Sequence, residues 1–209
     1  MKAPPQPVLQ PRKTPVQQRS TATVEAIYEA TVQVLLSSGA ERLTTVRVAQ
    51  RAGVSVGTLY QYYPNKQSLL FAVLERHLGQ VADAVVRACQ ANHHQPVATM
   101  VTALIDAFLD AKLKKRETSL ALYRIASDLD GDRLVENFRK RSLKAIVAMF
   151  RTASPASTER IEFAAFFFFA AMGGAIRTVF ETGASPAKIH KLREHLHMLG
   201  AAYWTSALS

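Results

Sequence analysis

The segment from Leu43 to Phe71 constrains the fold of this chain more than any other. It predicts two short helices joined by a tight turn, with a third helix starting directly after them. Thr45 is a candidate N-cap, because its hydroxyl can accept a hydrogen bond from an unpaired N–H of the first turn. Gly53 stands at the turn, where only glycine takes a left-handed backbone without a steric cost. Ser55 is a second candidate N-cap, and Asn65 is a third.

The apolar positions of this segment complete the pattern. Val48, Ala49 and Ala52 share one face of the first helix, and Leu59 is the buried residue of the second. Pro64 ends the second helix, because the residue before a proline is disfavoured in a helix. Small residues at 49 and 53 allow two helices to approach closely at a steep angle. Together these positions predict a helix-turn-helix, which is a DNA-binding unit.

The same residues resemble the DNA-binding domain of the TetR family of bacterial transcriptional regulators. The resemblance covers roughly residues 20 to 75. This chain differs from the family at two positions, since it has Tyr63 and Asn65 where the family more often has Phe and Ser. Its motifs are Thr45-Val46 before the first helix, Ala52-Gly53-Val54-Ser55 at the turn, Gly57-Thr58-Leu59-Tyr60 in the second helix, and Tyr63-Pro64-Asn65-Lys66 at its exit. Several coincident positions make this signal far more specific than one short motif.

A DNA-binding helix of this kind places some side chains against base edges and others against phosphates. By resemblance, the phosphate contacts are Thr45, Tyr60, Tyr63 and Lys66, although the favoured interpretation of Tyr63 is an aromatic that packs between helices 3 and 4. The candidates to face bases are Val56, Gly57, Thr58, Gln61 and Tyr62, and Ser55 at the start of the helix belongs to the same predicted DNA-binding set. Gln61 can pair with adenine through its amide. Arg47 is a candidate to contact a phosphate of the DNA backbone or, as the less favoured interpretation, a guanine base.

The charge of the chain is consistent with a nucleic-acid partner. The formal net charge is +10, and the first 66 residues hold eight Lys or Arg against three Glu. A basic helix-turn-helix is the electrostatic signature of phosphate binding. Charge alone leaves a second hypothesis open: a basic protein that coats DNA without sequence preference. Cys89 is the only cysteine, which favours a reducing cytoplasm, and a redox role for it is the less favoured interpretation. As a DNA-binding protein, the chain is expected to associate with the nucleoid. We expect no secretory signal, since the N-terminus lacks a continuous apolar run.

The periodicity along the chain predicts an all-α protein of about nine helices. We expect a disordered, proline-rich basic arm over residues 1–19, which either contacts DNA or only aids solubility. A three-helix helix-turn-helix head follows over 20–66, and a helical effector-binding and dimerisation domain over 67–209. The basic residues at 112 and 114–116 support a C-terminal end of helix 5 at this point, because positive charge stabilises the C-terminus of a helix. The predicted helices cover about 21–38, 46–52, 56–62, 66–91, 97–113, 117–129, 133–151, 158–182 and 186–206.

The resemblance implies that the second domain forms a homodimer through its last two helices. Residues 163–176 are apolar on every side, too short a run to span a membrane and better interpreted as a fully buried helix with two partners. We therefore expect no membrane partner, a symmetric dimer and a pseudo-palindromic double-stranded DNA operator. The predicted dimer residues are Phe166, Ala170, Gly173, Gly174, Leu192, Leu196, Leu199 and Tyr203.

The resemblance also implies an effector pocket, and the most common activity of the family is repression relieved by a small molecule. An aromatic-rich lining favours a hydrophobic or aromatic effector, although plain core is the favoured interpretation of each of these residues taken by itself. The predicted lining consists of Phe108, Tyr123, Phe138, Met149, Phe150, Phe167 and Met172. The sequence gives no sign of a cofactor and does not identify the effector.

An enzyme is the remaining alternative, and it has little support. The chain has no glycine-rich phosphate loop, nucleophile elbow or Cys/His metal spacing. His190, Glu194 and His197 share one helical face, which makes a metal-binding helical enzyme conceivable. That face lies opposite an apolar stripe on the same helix, which consists of Ile189, Leu192, Leu196, Leu199 and Tyr203. A solvated polar surface is therefore the better interpretation, and we expect no metal.

Overall fold

The computed structural model describes residues 18–126, 129 and 131–208, and its regular structure there is entirely helical. This confirms the all-α prediction. The predicted disordered arm lies outside the described residues as far as residue 17. The helices are α1 Gln18–Arg42, α2 Thr45–Ala52, α3 Val56–Tyr62, α4 Lys66–Ala91, α5 Val97–Lys114, α6 Arg116–Ile125, α7 Asp132–Phe150, α8 Thr158–Glu181 and α9 Pro186–Leu208.

Most helix boundaries lie within two or three residues of the predicted ones, and α1 and α6 differ most. Helix α1 starts earlier than predicted and reaches Arg42, but Gly39 has a non-helical backbone with φ 77° and ψ 166°. Gly39 therefore interrupts the helix where the sequence predicted its end, and a short final turn follows. Helix α6 ends at Ile125, four residues before the predicted end.

The described chain divides into two compact units. The first unit contains the residues up to His77 together with Glu117–Leu134, and the second contains Leu78–Arg116 and the residues from Val135 onward. Helix α4 contributes to both units, because the division falls between His77 and Leu78. The sequence-based domain boundary at residue 66 stays a prediction.

The first unit is built around α1–α4. Ile27, Leu59 and Leu69 are buried in its core. At its edge the guanidinium of Arg76 donates two hydrogen bonds to Glu25, at 2.7 and 2.9 Å, and lies 4.0 Å above the ring of Tyr28. The hydrogen bond to Glu25 raises the pKa of Arg76. These contacts join α1 to α4.

In the second unit, α9 packs against α5 and α8. The helices approach each other tightly at Gly200, where an added Cβ would lie 2.6 Å from Cγ1 of Val101, 3.0 Å from Cδ1 of Ile105 and 3.0 Å from Cζ of Phe168. Next to this contact the indole of Trp204 stacks on Phe150 with ring centroids 3.6 Å apart. Only glycine at position 200 allows α9 to pack this closely.

Cys89 lies in the α4 segment of the second unit and is fully buried. Burial raises the pKa of its thiol to about 12. The thiol therefore stays protonated at neutral pH, which makes it unreactive in the folded protein.

Helix α8 is only partly buried within this protomer, and its full burial between its own core and a second partner stays a prediction. Phe163 is 69% exposed and Phe167 is 51% exposed, whereas Phe168 and Met172 are buried. Within the described residues α8 is also the one helix long and apolar enough, by length and composition, to cross a membrane. The helix therefore has one face in the core and one apolar face that is largely exposed in the protomer.

Candidate nucleic-acid interface

The N-terminus of α2 begins one residue earlier than the sequence predicted. Thr44 is the N-cap: its backbone is extended, with φ −128° and ψ 151°, and its hydroxyl accepts a hydrogen bond from the N–H of Arg47 at 3.2 Å. Thr45 is the first helical residue, so its prediction as the cap is wrong. Adjacent threonines are chemically equivalent as caps, and only the backbone angles of the folded chain distinguish them.

The turn between α2 and α3 is formed as predicted. Gly53 has a left-handed backbone with φ 68° and ψ 28°, and its N–H donates to the carbonyls of Ala49 and Gln50. The hydroxyl of Ser55 then accepts a hydrogen bond from the N–H of Thr58 at 2.9 Å. At the start of α4 the side chain of Asn65 accepts a hydrogen bond from the N–H of Ser68 at 2.8 Å. Local capping therefore sets where each of these helices begins.

Helix α3 has a buried side and an exposed side. Leu59 is fully buried and Tyr63, directly after the helix, is buried as well. Burial raises the pKa of Tyr63, and its place in the core favours the packing role over a phosphate contact. The predicted base-facing residues lie toward the other side: Gly57 and Gln61 are exposed, and Val56, Thr58 and Tyr62 are half-buried.

Two of the predicted phosphate-binding residues are in direct contact. The hydroxyls of Thr45 and Tyr60 are 3.1 Å apart, which joins the first turn of α2 to the middle of α3. Tyr60 is 42% exposed. The pair therefore presents two hydroxyl groups to solvent beside the exposed side of α3.

The two basic residues predicted to contact DNA, Arg47 and Lys66, both contact the end of α1. Nη1 of Arg47 donates to the carbonyl of Arg42 at 3.2 Å, and Nζ of Lys66 donates to the carbonyl of Glu41 at 3.2 Å. Both cations thus lie over the last turn of α1, where carbonyl groups carry a partial negative charge. The sequence did not predict this contact with α1.

The predicted effector lining is only partly brought together. In the second unit Phe108, Phe138 and Phe169 form a cluster with ring centroids 5.1 to 6.3 Å apart. Met149 and Met172 are buried, and Phe150 stacks on Trp204. Phe167 instead stacks on Tyr203 in a partly exposed position, which separates it from the cluster. Tyr123 belongs to the first unit.

The predicted dimer residues also differ in where they lie. Leu192 and Leu196 are buried inside the protomer, so they are not free to form an interface and this part of the prediction is wrong. These two leucines face the core of their own protomer, because α9 packs on α5 and α8. The other residues are exposed or half-buried: Phe166, Ala170, Gly174 and Leu199 are exposed, and Gly173 and Tyr203 are half-buried.

The histidine-containing face of α9 is part of a polar network. His190 lies 3.2 Å from Glu194, whereas Nε2 of His197 lies 3.1 Å from Asp106 on α5. Between them Arg193 forms ion pairs with Asp106 and Asp110. Within the described part of the chain, no three His, Cys, Asp or Glu side chains are arranged to hold a metal ion. Two residues of this face, His190 and Glu194, therefore pair with each other, whereas His197 pairs with a carboxylate of α5.

Comparison with known proteins places this arrangement in a family. The model for bacterial regulatory proteins of the tetR family matches residues 27–73, and the model for a tetracyclin repressor-like C-terminal domain matches residues 96–203. The nucleoid occlusion factor SlmA of Actinobacillus pleuropneumoniae is 29% identical over 147 residues, which cover 69% of this chain and 65% of that protein. The chain thus spans less than two thirds of that relative. The transcriptional repressor KstR of Mycolicibacterium smegmatis is 38% identical over 65 residues, covering 31% of this chain and 32% of KstR.

Solved structures show the same fold. A TetR-family regulator of Mesorhizobium loti superposes with a TM-score of 0.73 at 17% identity, covering 91% of this chain and 98% of that one. The fatty acid degradation regulator FadR of Bacillus halodurans gives a TM-score of 0.66 at 17% identity, covering 84% and 93%. Regulators of this family are soluble cytoplasmic proteins that bind DNA operators, dimerise and bind small molecules, and they are generally not enzymes. The two family matches, which together cover both the helix-turn-helix and most of the helical body, establish that this chain belongs to the TetR family of DNA-binding transcriptional regulators.

Proposed function

We propose that this protein is a homodimeric, nucleoid-associated repressor that binds a two-fold symmetric operator through α3 and releases it when a small apolar or aromatic molecule binds to its helical body. The observation that carries the proposal is the exposed side of α3, with Gln61 and Gly57 beside the Thr45–Tyr60 hydroxyl pair. That surface combines groups suited to bases with groups suited to phosphates.

The base contacts follow from the chemistry of the exposed residues. Gln61 offers an amide that pairs with the N6 and N7 positions of adenine, and Thr58 offers a methyl group and a hydroxyl. Around Gly57 an added Cβ would meet only the hydroxyl of Ser55, at 3.7 Å. The protein itself therefore has room for a larger residue at position 57. The absence of a side chain there favours close approach by a partner outside the chain.

The phosphate contacts are the groups at the edges of α2 and α3. The first turn of α2 offers backbone N–H groups and the positive end of a helix dipole. Thr45 and Tyr60 add hydroxyls, and Arg47 and Lys66 add positive charge. Because Arg47 and Lys66 already donate hydrogen bonds to α1 carbonyls, their side chains are positioned beside the interface in the absence of DNA.

The dimer would use the apolar surface of α8 and α9 that is exposed in the protomer. Phe163, Phe166, Phe167, Met198 and Leu199 are exposed, and a cluster of large apolar side chains of this kind is typical of an interaction surface. Around Gly173 and Gly174 an added Cβ would meet nothing within 4 Å. That open space leaves room for a helix of a second copy.

Repression is the proposed outcome because KstR, which matches this chain over 65 residues, is a transcriptional repressor. The test is selection of bound duplexes from a random DNA library, followed by fluorescence anisotropy of the enriched duplex at two salt concentrations. We expect a symmetric site bound at least about a thousandfold more tightly than scrambled DNA. Binding without an enriched sequence would leave only the non-specific DNA-coating protein.

Variants of α3 separate base contacts from phosphate contacts. We expect Gln61→Ala to lower affinity by about 1–3 kcal/mol at particular base pairs of the selected site and to leave scrambled DNA unchanged. Tyr60→Ala should weaken binding to all sequences equally. Gln80→Ala, an exposed glutamine on α4, is the control and should bind as the wild type does. An equal loss of affinity for every sequence in Gln61→Ala would exclude its role in base recognition.

A further inference from the structure

Two contacts within the second unit show that α7 runs beside the second half of α4. Arg141 of α7 forms an ion pair with Asp83 of α4. At the far ends of the two helices, the N–H of His94 donates to the hydroxyl of Thr152 at 2.8 Å. Both contacts join residues that are 58 positions apart. The two helices therefore run in the same direction, and residues equally far beyond the Asp83–Arg141 pair lie level with each other.

Exposed basic residues follow one another along this pair of helices. Arg87 lies four residues beyond Asp83 and Lys144 lies three residues beyond Arg141, so both lie about one helical turn past that ion pair. Both side chains are exposed. Two cations on neighbouring helices are thus placed at the same level.

The basic residues continue along α7 in both directions. Lys140 precedes Lys144 by four residues, which places the two on one face of the helix, and Arg151 follows at the end of α7. The side chain of Lys140 is 71% exposed, and Arg151 is exposed as well. We call the whole set the basic surface; it consists of Arg87, Lys140, Arg141, Lys144 and Arg151.

Carboxylates balance only part of this charge. Asp83 pairs with Arg141, and Glu136 lies 3.6 Å from Lys140. Within the part of the chain that the structure describes, the other three cations of the basic surface form no ion pair. Like charges one turn apart on a helix repel each other. The basic surface therefore has a net positive charge that does not stabilise the fold.

A row of cations without partners is complementary to a regular polyanion. Double-stranded DNA carries about one negative charge per 1.7 Å of its axis. Lys140 and Arg151 are eleven residues apart, about 16 Å along α7, so the row is long enough to reach several phosphates of one duplex. A membrane surface would require large apolar side chains beside the cations. The other exposed residues on this face of α7, Asn137 and Ala148, do not supply them.

We propose that the basic surface binds the phosphates of double-stranded DNA without base preference, as a second DNA contact in addition to α3. This goes beyond the proposed function, in which the DNA contacts belong to α2 and α3. The phosphates are those of the duplex that carries the operator or those of a second duplex, since both offer the same chemistry.

The test is fluorescence anisotropy of the full chain on a scrambled duplex over a series of salt concentrations. The variant carries Arg87→Gln, Lys144→Gln and Arg151→Gln together; these side chains are exposed and form no ion pair, so the fold should be retained. We expect the slope of log affinity against log salt to become shallower by about 2–3 per bound chain, because each lost phosphate contact removes about 0.9. The affinity for scrambled DNA at low salt should fall at least about tenfold. An unchanged slope would overturn the inference.

The matched control removes three positive charges elsewhere in the second unit. It carries Lys114→Gln, Lys188→Gln and Lys191→Gln, all at exposed positions, and therefore has the same net charge as the first variant. It should keep the wild-type slope. An equally shallow slope in the control would show that DNA responds to the net charge of the protein and not to the basic surface, which would also overturn the inference.

Two further measurements identify the source of the phosphates. A loss of affinity that is larger on a long operator duplex than on a minimal one would assign them to the flanking DNA. Loss of the ability of operator-bound protein to retain a second labelled duplex would assign them to a second duplex. Binding to anionic lipid vesicles that the variant loses, with an unchanged slope on DNA, would replace DNA by a membrane and refute the proposal.

The slope on scrambled DNA does not depend on the proposed operator. A shallower slope in the variant without any selected site would support the basic surface and refute the proposed operator-specific regulator. A selected symmetric site with an unchanged slope would refute only the basic surface.

Discussion

Helices α3 and α8 belong to different units and are held in place by different kinds of interaction. Helix α3 has seven residues, starts at the Ser55 cap and buries little more than Leu59. Helix α8 has 24 residues and buries eight of them against its own unit. A short helix with one anchor depends on its caps and on the turn before it. A long apolar helix depends on whatever packs around it.

This difference affects both stability and function. In the helix-turn-helix, the residues that fix the backbone are next to those that would contact DNA, so structure and contact surface are set by one short segment. In the second unit, the polar residues Lys112 and Ser142 are buried in the core, and the burial of a polar group carries a cost in free energy. We therefore expect substitutions in the second unit to have large effects of either sign, and cap substitutions to have smaller, local effects.

The largest expected effect is a gain in stability from Lys112→Met. The pKa of Lys112 falls from 10.5 in the unfolded chain to about 8 in the folded one, so its charged form is destabilising by about 3 kcal/mol below pH 8. This cost decreases as the pH rises from 8 to 10.5, because the folded protein then holds a neutral amine. Met carries no such charge. Urea unfolding followed by Trp204 fluorescence should show Lys112→Met more stable than the wild type at pH 7, with the difference shrinking by pH 10.

Lys112→Arg is the informative companion to this experiment. Because arginine stays charged throughout this pH range, its cost should not decrease between pH 8 and 10. A Lys112→Met protein that is less stable than the wild type at pH 7 would show that the ammonium stabilises the fold instead.

A smaller effect of opposite sign is expected at Gly200. Gly200→Ala adds a methyl group 2.6 Å from Cγ1 of Val101 and 3.0 Å from Cζ of Phe168, and both neighbours are buried. We expect a loss of about 1–3 kcal/mol in the free energy of unfolding from overpacking. The measurement is again urea unfolding. Gly79→Ala is the control, because an added Cβ there meets nothing within 4 Å; it should raise stability by about 0.5–1 kcal/mol through helix propensity.

The smallest effect is expected at the cap of α3. Ser55→Ala removes the acceptor for the N–H of Thr58, which should cost about 1 kcal/mol. Hydrogen exchange of the α3 amides should accelerate by about fivefold, with little change in α8. Ser38→Ala is the control, since the hydroxyl of Ser38 only bonds back within α1. Faster exchange throughout the second unit in Ser55→Ala would contradict the local character of this cap.

The same contrast explains what the sequence could predict. The turn at Gly53 and the caps Ser55 and Asn65 were predicted correctly, because each depends on one residue type at one backbone position. The cap of α2 was placed at Thr45 instead of Thr44, since two adjacent threonines carry the same local signal. Errors in the second unit are of another kind. Leu192 and Leu196 were assigned to the dimer, because a leucine stripe does not indicate which helix it packs against.

Lys112 was missed for a related reason. A lysine near the end of a helix is normally solvated, and its chemistry alone favours that interpretation. The signal that could have identified it is its spacing, four residues after Phe108 on the apolar stripe of α5. Burial of a polar residue on such a stripe depends on α7 and α8, which lie far away in the sequence. The DNA-binding residues stay a prediction, but their positions could be read from local spacing.

The buried thiol of Cys89 allows the transient opening of the folded protein to be measured. Because this is the only cysteine of the chain and its pKa is raised to about 12 by burial, a thiol reagent can react with it only when the α4 segment around it is transiently exposed. The rate of labelling, compared with that of the unfolded chain, therefore gives the free energy of that opening. An effector or an operator that stabilises the second unit would slow the labelling, so binding can be detected without introducing any probe.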